Sequence, residues 1–289
     1  MTVVLSQRHS IGGIFTAAVA RLAEAGVAEP RMDARLLIGY ALGGGPEIVL
    51  GFPERMLGPA EVRRIAALVA ERVRRRPMAQ ILGRREFWSL PFIVGEDTLD
   101  PRPDSECLIG AVLTRIADRT LPLRILDFGT GTGCLLLSLL HEFPAASGVG
   151  VDISPAAVAV AARNAAILGL APRAMFVSGN WGAGIAGHFD VVVANPPYIP
   201  DFELAALEPE ISLFEPSTAL SGGPDGLAAY RALAPDMVRL LARGGMAVIE
   251  IGAGQADSLA GIMAEAGLMR EAAIGDLAGR ERALVFRAA

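Results

Sequence analysis

Between residues 123 and 250, short apolar runs alternate with amphipathic stretches, and this alternation restricts the fold more than any other feature of the sequence. Leu123-Arg124-Ile125-Leu126-Asp127 leads into glycines and a helical stretch over 135–141, and Gly148-Val149-Gly150-Val151-Asp152 leads into a second over 155–168. Met175-Phe176-Val177 and Asp190-Val191-Val192-Val193-Ala194 read as further strands, and Met246-Ala247-Val248-Ile249-Glu250 follows a helix over 227–241. Apolar runs this short and this regularly interrupted pack as a mostly parallel sheet, with helices on both faces reached by right-handed crossovers. The last run, Ala283-Leu284-Val285-Phe286, closely follows another strand-like segment and is expected as an antiparallel edge strand.

The first part of the chain has a different texture. From Ile11 to Arg76 it reads as helices punctuated by Gly26, by Gly43-Gly44-Gly45 and by Gly58-Pro59. Pro77 ends the last of them, and Glu86-Phe87-Trp88 with Phe92-Ile93-Val94, broken at Ser89-Leu90-Pro91, predicts a hairpin leading out. The expected division is a helical domain over 1–78 and an α/β domain over 79–289. Charge divides in the same place: residues 1–80 carry a net +4 and residues 81–289 a net −9.

Composition removes several chemistries. All 26 basic residues are arginine, so neither Schiff-base catalysis nor a P-loop lysine is available. Cys107 and Cys134, with His9, His141 and His188, lack the spacing of a zinc site or a disulfide framework, and no metal is expected. The stretch 11–20 resembles the apolar core of a signal peptide. Its apolar positions continue through Leu22 and Val27, however, with Arg21 and Glu24 on another face, which is the pattern of an amphipathic helix. No uncharged run approaches the ~18 residues of a membrane span. A cytoplasmic enzyme without membrane association is the resulting expectation.

Ligands of open α/β sheets gather beyond the carboxyl ends of the strands. After the first strand stands Gly129-Thr130-Gly131-Thr132-Gly133, where glycine lets a ligand approach the backbone closely. A dinucleotide fingerprint would place glycine or alanine at position 134, and Cys134 stands there instead. Asp152 ends the second strand, where a carboxylate accepts hydrogen bonds from ribose hydroxyls or, alternatively, serves the turn before Ser154-Pro155. A nucleoside cofactor without a pyrophosphate fits this pattern, and S-adenosylmethionine, whose sulfonium favours the negative surroundings of Asp127, is the candidate. Asn180-Trp181, after the third strand, can flank its adenine.

Asn195-Pro196-Pro197-Tyr198 follows the strand that ends at Ala194. Two prolines fix two φ angles and remove two backbone donors, leaving a rigid turn that offers acceptors. Such a turn suits a planar NH₂ group: the Asn195 side-chain oxygen and the Pro196 carbonyl each accept one hydrogen, and Tyr198 stacks on the flat face. Aiming the nitrogen at a methyl carbon in this way lowers the barrier without a strong base.

Taken with their neighbours, these residues resemble the class I S-adenosylmethionine-dependent methyltransferases, and among them the HemK-type release factor glutamine methyltransferases. The resemblance rests on the Asn-Pro-Pro-Tyr turn, on Gln80-Ile81-Leu82-Gly83 with Glu86-Phe87, and on Pro101-Arg102-Pro103-Asp104-Ser105-Glu106. Glu215-Pro216, the run 222–226 with Tyr230-Arg231, and Glu250-Ile251-Gly252 with Gln255 complete it. It implies a Rossmann-like methyltransferase domain and a small N-terminal helical domain joined by a β-hairpin. It also implies methylation of the glutamine amide in the Gly-Gly-Gln motif of peptide-chain release factors, with S-adenosylhomocysteine as product and the helical domain binding the protein partner. Residues 129–133, Asp152, Asn180, Trp181 and Asn195 are then expected at the cofactor. Asn195, Pro196, Pro197, Tyr198, Arg102 and Pro103 are expected at the substrate, with Asn195, Pro196 and Tyr198 as the catalytic set. An adenine or cytosine amino methyltransferase shares the turn, but a nucleic-acid channel calls for positive charge, which the −9 part does not supply. The long stretch 199–224 is expected to act as a loop that orders on substrate binding.

Overall fold

The computed structural model describes residues 9–276 and 279–288. Two compact units make up the chain: Met1–Gly83 with Pro209–Phe214, and Arg84–Glu208 with Glu215–Ala289.

In the first unit, α1 (Ile11–Glu24) starts at Ser10, whose hydroxyl accepts a hydrogen bond from the Gly13 amide at 3.2 Å. This side chain supplies the partner that a helix N-terminus otherwise lacks. α2 (Pro30–Ala41), the single turn α3 (Ile48–Gly51), α4 (Pro59–Val73) and α5 (Met78–Leu82) follow, and they bury Ile11, Leu22, Leu37, Ile38 and Ile65 in one core. Proline opens α2 and α4, where its fixed φ is already helical and its missing amide hydrogen costs nothing. An ion network is buried in the same unit. Arg72, with a side chain 8% exposed, donates through Nε to Asp33 Oδ2 at 2.7 Å and pairs through Nη1 with Glu210 Oε1 at 2.7 Å. Arg75 grips the same Glu210 at 2.7 and 2.6 Å, and the Gln80 amide donates to the Phe214 carbonyl at 2.9 Å. Burial opposes ionisation of Glu210, but the hydrogen bonds from Arg75 and Arg72 prevail and hold its carboxyl below the usual range.

The second unit opens with β1 (Arg84–Phe87) and β2 (Leu90–Ile93), an antiparallel hairpin. Its turn falls at Trp88-Ser89, both with positive φ (52° and 57°), one residue earlier than the proline suggested. Such φ values twist the connection to match the strands. Trp88 is fastened there because its backbone amide donates to Glu106 at 2.8 Å and its indole to Glu142 at 2.7 Å. Then come α6 (Glu106–Arg115), β3 (Arg124–Phe128), α7 (Cys134–Glu142), β4 (Ser147–Asp152), α8 (Pro155–Ile167), β5 (Ala174–Ser178) and β6 (Phe189–Ala194). Beyond the short α9 (Pro209–Ser212), which belongs to the first unit, lie α10 (Ala228–Leu240), β7 (Leu241–Glu250), α11 (Ala256–Ala266), β8 (Leu268–Gly275) and β9 (Glu281–Ala288).

Seven strands form one sheet in the order β5-β4-β3-β6-β7-β9-β8. The first five pair in parallel, whereas β9 runs antiparallel to both β7 and β8. The antiparallel member therefore lies one place in from the edge, with Ala283 to Phe286 fully buried, and β8 forms the outer strand. Val191, Val192 and Val193 on β6 have no exposed surface, as expected of a strand covered on both faces. The chain moves outward in one direction through β3, β4 and β5 and in the other through β6 and β7. The switch point thus lies between β3 and β6, at the carboxyl ends of both.

Candidate active site

A cleft of about 550 Å³ opens at that switch point, within the second unit. After β3, Gly129, Thr130, Gly131 and Thr132 line it. Gly129 and Gly131 have φ of 68° and 53°, values that a side chain would strain, and the loop presents backbone rather than Cβ atoms to the cleft. Gly133 is turned away from it. It caps α7 with φ 80°, and a Cβ there would meet Leu137, Ala161 and Phe176 at 3.1–3.3 Å.

Carboxylates hold the loop in place. Asp152, at the end of β4, accepts from the Gly131 amide through Oδ2 at 2.9 Å and from the Ser154 amide through Oδ1 at 2.9 Å. Both roles considered for it are present in one side chain: it serves the turn, and each oxygen retains a lone pair for a further donor. Asp127 sits behind the loop, 1% exposed, and its Oδ2 accepts from the Thr130 hydroxyl at 2.7 Å. Burial pushes its carboxyl up to about 7, against the hydrogen bonds from Thr130 and the Leu136 amide. Asp127 is therefore only partly charged near neutrality and does not line the cleft, so the negative surroundings expected of it are not what it supplies. Asn180 and Trp181 do line it. Trp181 has φ 49° and packs edge-on against Phe128, with ring centroids 6.3 Å apart. A non-glycine residue at positive φ stores strain that its surroundings must hold.

A second part of the lining comes from the end of β6, next to the glycine loop. Asn195 and Pro197 line the cleft, while Pro196 is buried and Tyr198, half-buried, stands behind. The Asn195 side-chain NH₂ donates to Ser105 Oγ at 3.1 Å, and the Tyr198 hydroxyl donates to Glu250 Oε1 at 3.2 Å. Gln255 closes the turn from below by donating to the Tyr198 carbonyl at 2.9 Å, and its own oxygen accepts from the Tyr230 hydroxyl at 3.1 Å. Arg102 lines the cleft and grips Glu215, whose side chain is 1% exposed, at 2.6 and 2.8 Å. Burial nevertheless raises the Glu215 carboxyl to about 7. Pro103 opens the turn Pro103–Ser105 without reaching the cleft, and Ser105 reaches it in its place.

Two groups escaped the sequence reading as site residues: Ser105 and Glu250. Both lay in segments that carried the family resemblance, and Glu250 ends β7 beside β6, a position that could have drawn attention to it.

Residues 14–83 match the family described as PrmC N-terminal domain, and residues 85–207 the methyltransferase small domain. Among solved structures, the ribosomal protein L11 methylase from Lactobacillus delbrueckii subsp. bulgaricus aligns with a TM-score of 0.50 at 19% identity, covering 66% of this chain and 81% of that one. The hMettl16 catalytic domain in complex with MAT2A 3'UTR hairpin 6 aligns at 0.57 and 16% identity, covering 76% and 81%. At these identities the likeness is one of fold. Sheet order, switch-point cleft and matched domains together define a Rossmann-like methyltransferase.

Relatives matched over most of their length narrow the class. Release factor glutamine methyltransferase of Rhodospirillum rubrum is 49% identical over 267 residues, which span 92% of this chain and 82% of that protein. The enzyme of the same name from Cereibacter sphaeroides is 46% identical over 94% of this chain and 96% of its own length. The chain belongs to the release factor glutamine methyltransferase family.

Proposed function

We propose that this enzyme transfers the methyl group of S-adenosylmethionine to the side-chain amide nitrogen of the glutamine in the Gly-Gly-Gln motif of peptide-chain release factors, in the cytoplasm. The observation that carries the reading is that the glycine loop and Asn195, which follow the neighbouring strands β3 and β6, line one cleft, in a chain whose relatives bear that name. The donor set suits the cofactor. Backbone amides and the spare lone pairs of Asp152 suit ribose hydroxyls, Asn180 and Trp181 suit an adenine, and the side-chain-free edge at Gly129 and Gly131 leaves room for close approach.

When bound, the cofactor supplies an electrophilic methyl on a sulfonium and leaves as the neutral thioether S-adenosylhomocysteine. The work of the protein is to aim the nucleophile. Asn195 Oδ1, on the cleft lining, takes one hydrogen of the glutamine amide, and the Pro196 carbonyl takes the other and the Tyr198 ring stacks on the amide plane only where the amide reaches past that lining to the buried part of the turn. An amide lone pair is conjugated with its carbonyl. Drawing both N–H bonds toward oxygens favours charge localisation on nitrogen as the C–N bond forms, and one of these protons is then released to solvent. Arg102 borders the substrate side of the cleft, and Pro103 opens the turn that carries Ser105 to it. The helical domain over 1–78 binds the release factor, and the domain over 79–289 performs the transfer.

The test is incubation of the enzyme with methyl-labelled cofactor and, separately, unmethylated release factor, RNA and DNA, followed by peptide mass mapping. Label on the glutamine of the Gly-Gly-Gln motif is expected. Label confined to nucleic acid would overturn the substrate and leave the cofactor site standing.

A further inference from the structure

The Asn195 side chain can serve a substrate NH₂ group only in one of its two orientations. An amide flipped by 180° would present its own NH₂ to the incoming NH₂, donor against donor. Something in the protein must therefore choose the orientation, and proline cannot, because it fixes only the backbone. The choice is legible in a chain of hydrogen bonds on the far side of the turn. Asn195 Nδ2 donates to Ser105 Oγ at 3.1 Å, and the hydroxyl of Ser105, a residue 3% exposed, acts on the buried carboxyl of Glu250 to favour its charged form. A hydroxyl has a single proton. If Glu250 accepts it, the Ser105 oxygen is left only to accept, Asn195 must turn its NH₂ toward Ser105, and Asn195 Oδ1 faces the cleft. The same carboxyl takes the Tyr198 hydroxyl at 3.2 Å, so the two ends of the Asn-Pro-Pro-Tyr turn are referred to one group. Glu250 is 1% exposed and its Oε2 has no hydrogen-bond partner among the described residues, although a buried polar atom is ordinarily satisfied. A buried acid in this position costs stability, which argues that it is kept for the polarity it imposes.

We propose that Glu250 and Ser105 are positioning residues for methyl transfer: they set the donor and acceptor polarity of the Asn195 amide, and thereby make the turn selective for a planar NH₂ nucleophile. This rests on the reading of Asn195 given above.

The charged state of Glu250 then governs the orientation. Burial drives its carboxyl up to about 7, with the hydrogen bonds from Ser105 and Tyr198 and the nearby Arg282 of β9 opposing and Asp104 reinforcing. Asp276 beside Arg282, Cys107 on α6, Cys134 on α7 and Tyr230 on α10 complete the titratable surroundings, and the two thiols are themselves raised to about 12. Protonation of Glu250 weakens its hold on the Ser105 proton, so kcat is expected to fall as pH drops through about 7.

The experiment compares wild type, Ser105→Ala, Ser105→Thr, Glu250→Gln and Asn195→Ala on release factor at saturating cofactor, with kcat, KM and pH profiles, and with cofactor Kd as the measure of folding. Ser105→Ala and Glu250→Gln should lower kcat about 10- to 100-fold, while KM and cofactor Kd stay within about threefold. Ser105→Thr, which keeps the hydroxyl, should recover most of the rate. The acid limb should be absent from Glu250→Gln. Wild-type kcat in Ser105→Ala and Glu250→Gln, with Asn195→Ala inactive, would overturn the positioning role and leave the reading of Asn195 intact. An equal loss in Ser105→Thr and Ser105→Ala, or an acid limb persisting in Glu250→Gln, would also overturn it. Full activity in Asn195→Ala would remove both.

Discussion

The two walls of the cleft solve the same problem by opposite means. On the side after β3, 129–133 is glycine-rich, and a backbone with that much freedom must be restrained from outside: Asp152 holds the Gly131 amide, and Asp127 holds Thr130. On the other side, the prolines at 196 and 197 restrain the backbone internally, and the hydrogen bonds are spent instead on a side-chain amide and a phenol hydroxyl. Acids stand behind both walls, and burial raises Asp127 and Glu250 alike to about 7. One acid shapes a surface of backbone amides. The other orients a functional group.

That contrast predicts separable defects. The largest is Asn195→Ala, which should reduce kcat by about 10²–10³-fold, the usual cost of deleting one preorganised group at a reacting centre, while calorimetric cofactor Kd stays within about threefold. A matching loss of cofactor affinity would merge the two walls into one function. Next is Asp152→Ala. Its charged hydrogen bond to the loop is worth about 1.5–3 kcal/mol, so cofactor Kd should rise about 10- to 100-fold with kcat at saturation little changed. A drop in kcat alone would reverse the assignment of the walls.

Smaller is a pH effect on stability. Asp127, at about 7 when folded against an ordinary 3.8, holds a proton that the unfolded chain releases, so stability should decline as pH rises from about 4 through 7. Denaturant titrations at pH 5 and 7.5 should show the lower stability at 7.5, with a reduced difference in Asp127→Asn; an undiminished difference would clear Asp127 of the effect. The smallest is at the thiols. Burial raises Cys107 and Cys134 to about 12, so alkylation of the folded enzyme at pH 8 should be slow at both half-buried thiols, and rapid labelling of Cys134, which lines the cleft, would show that its thiol is not raised that far.

Much of this was legible because it is local. The alternation of β and α, the glycine loop and the proline turn are each written within a few consecutive residues, and strand ends follow from hydrophobic runs. What escaped was written across distance. The bond between Asn195 and Ser105 joins residues 90 apart, and that between Tyr198 and Glu250 joins residues 52 apart. No period or spacing signals either. The hairpin turn at Trp88-Ser89 was displaced for a similar reason, since Glu106 and Glu142, both remote in sequence, hold Trp88 where local turn chemistry would call for glycine or asparagine. Strand order beyond β7 is likewise a matter of tertiary packing: the apolar run at 283–286 showed burial but not its insertion between β7 and β8.

The membership of Pro209–Phe214 in the helical unit has a consequence for how such enzymes are inherited. Arg72, Arg75 and Gln80 take their partners Glu210 and the Phe214 carbonyl from a stretch more than a hundred residues downstream. A recombination event that grafted only the first 83 residues onto a relative would deprive Arg72 and Arg75 of the Glu210 carboxylate they share. Exchange of this unit requires three junctions, after 83 and on either side of 209–214. The two parts of the chain should therefore share one genealogy, and trees built from each separately should agree.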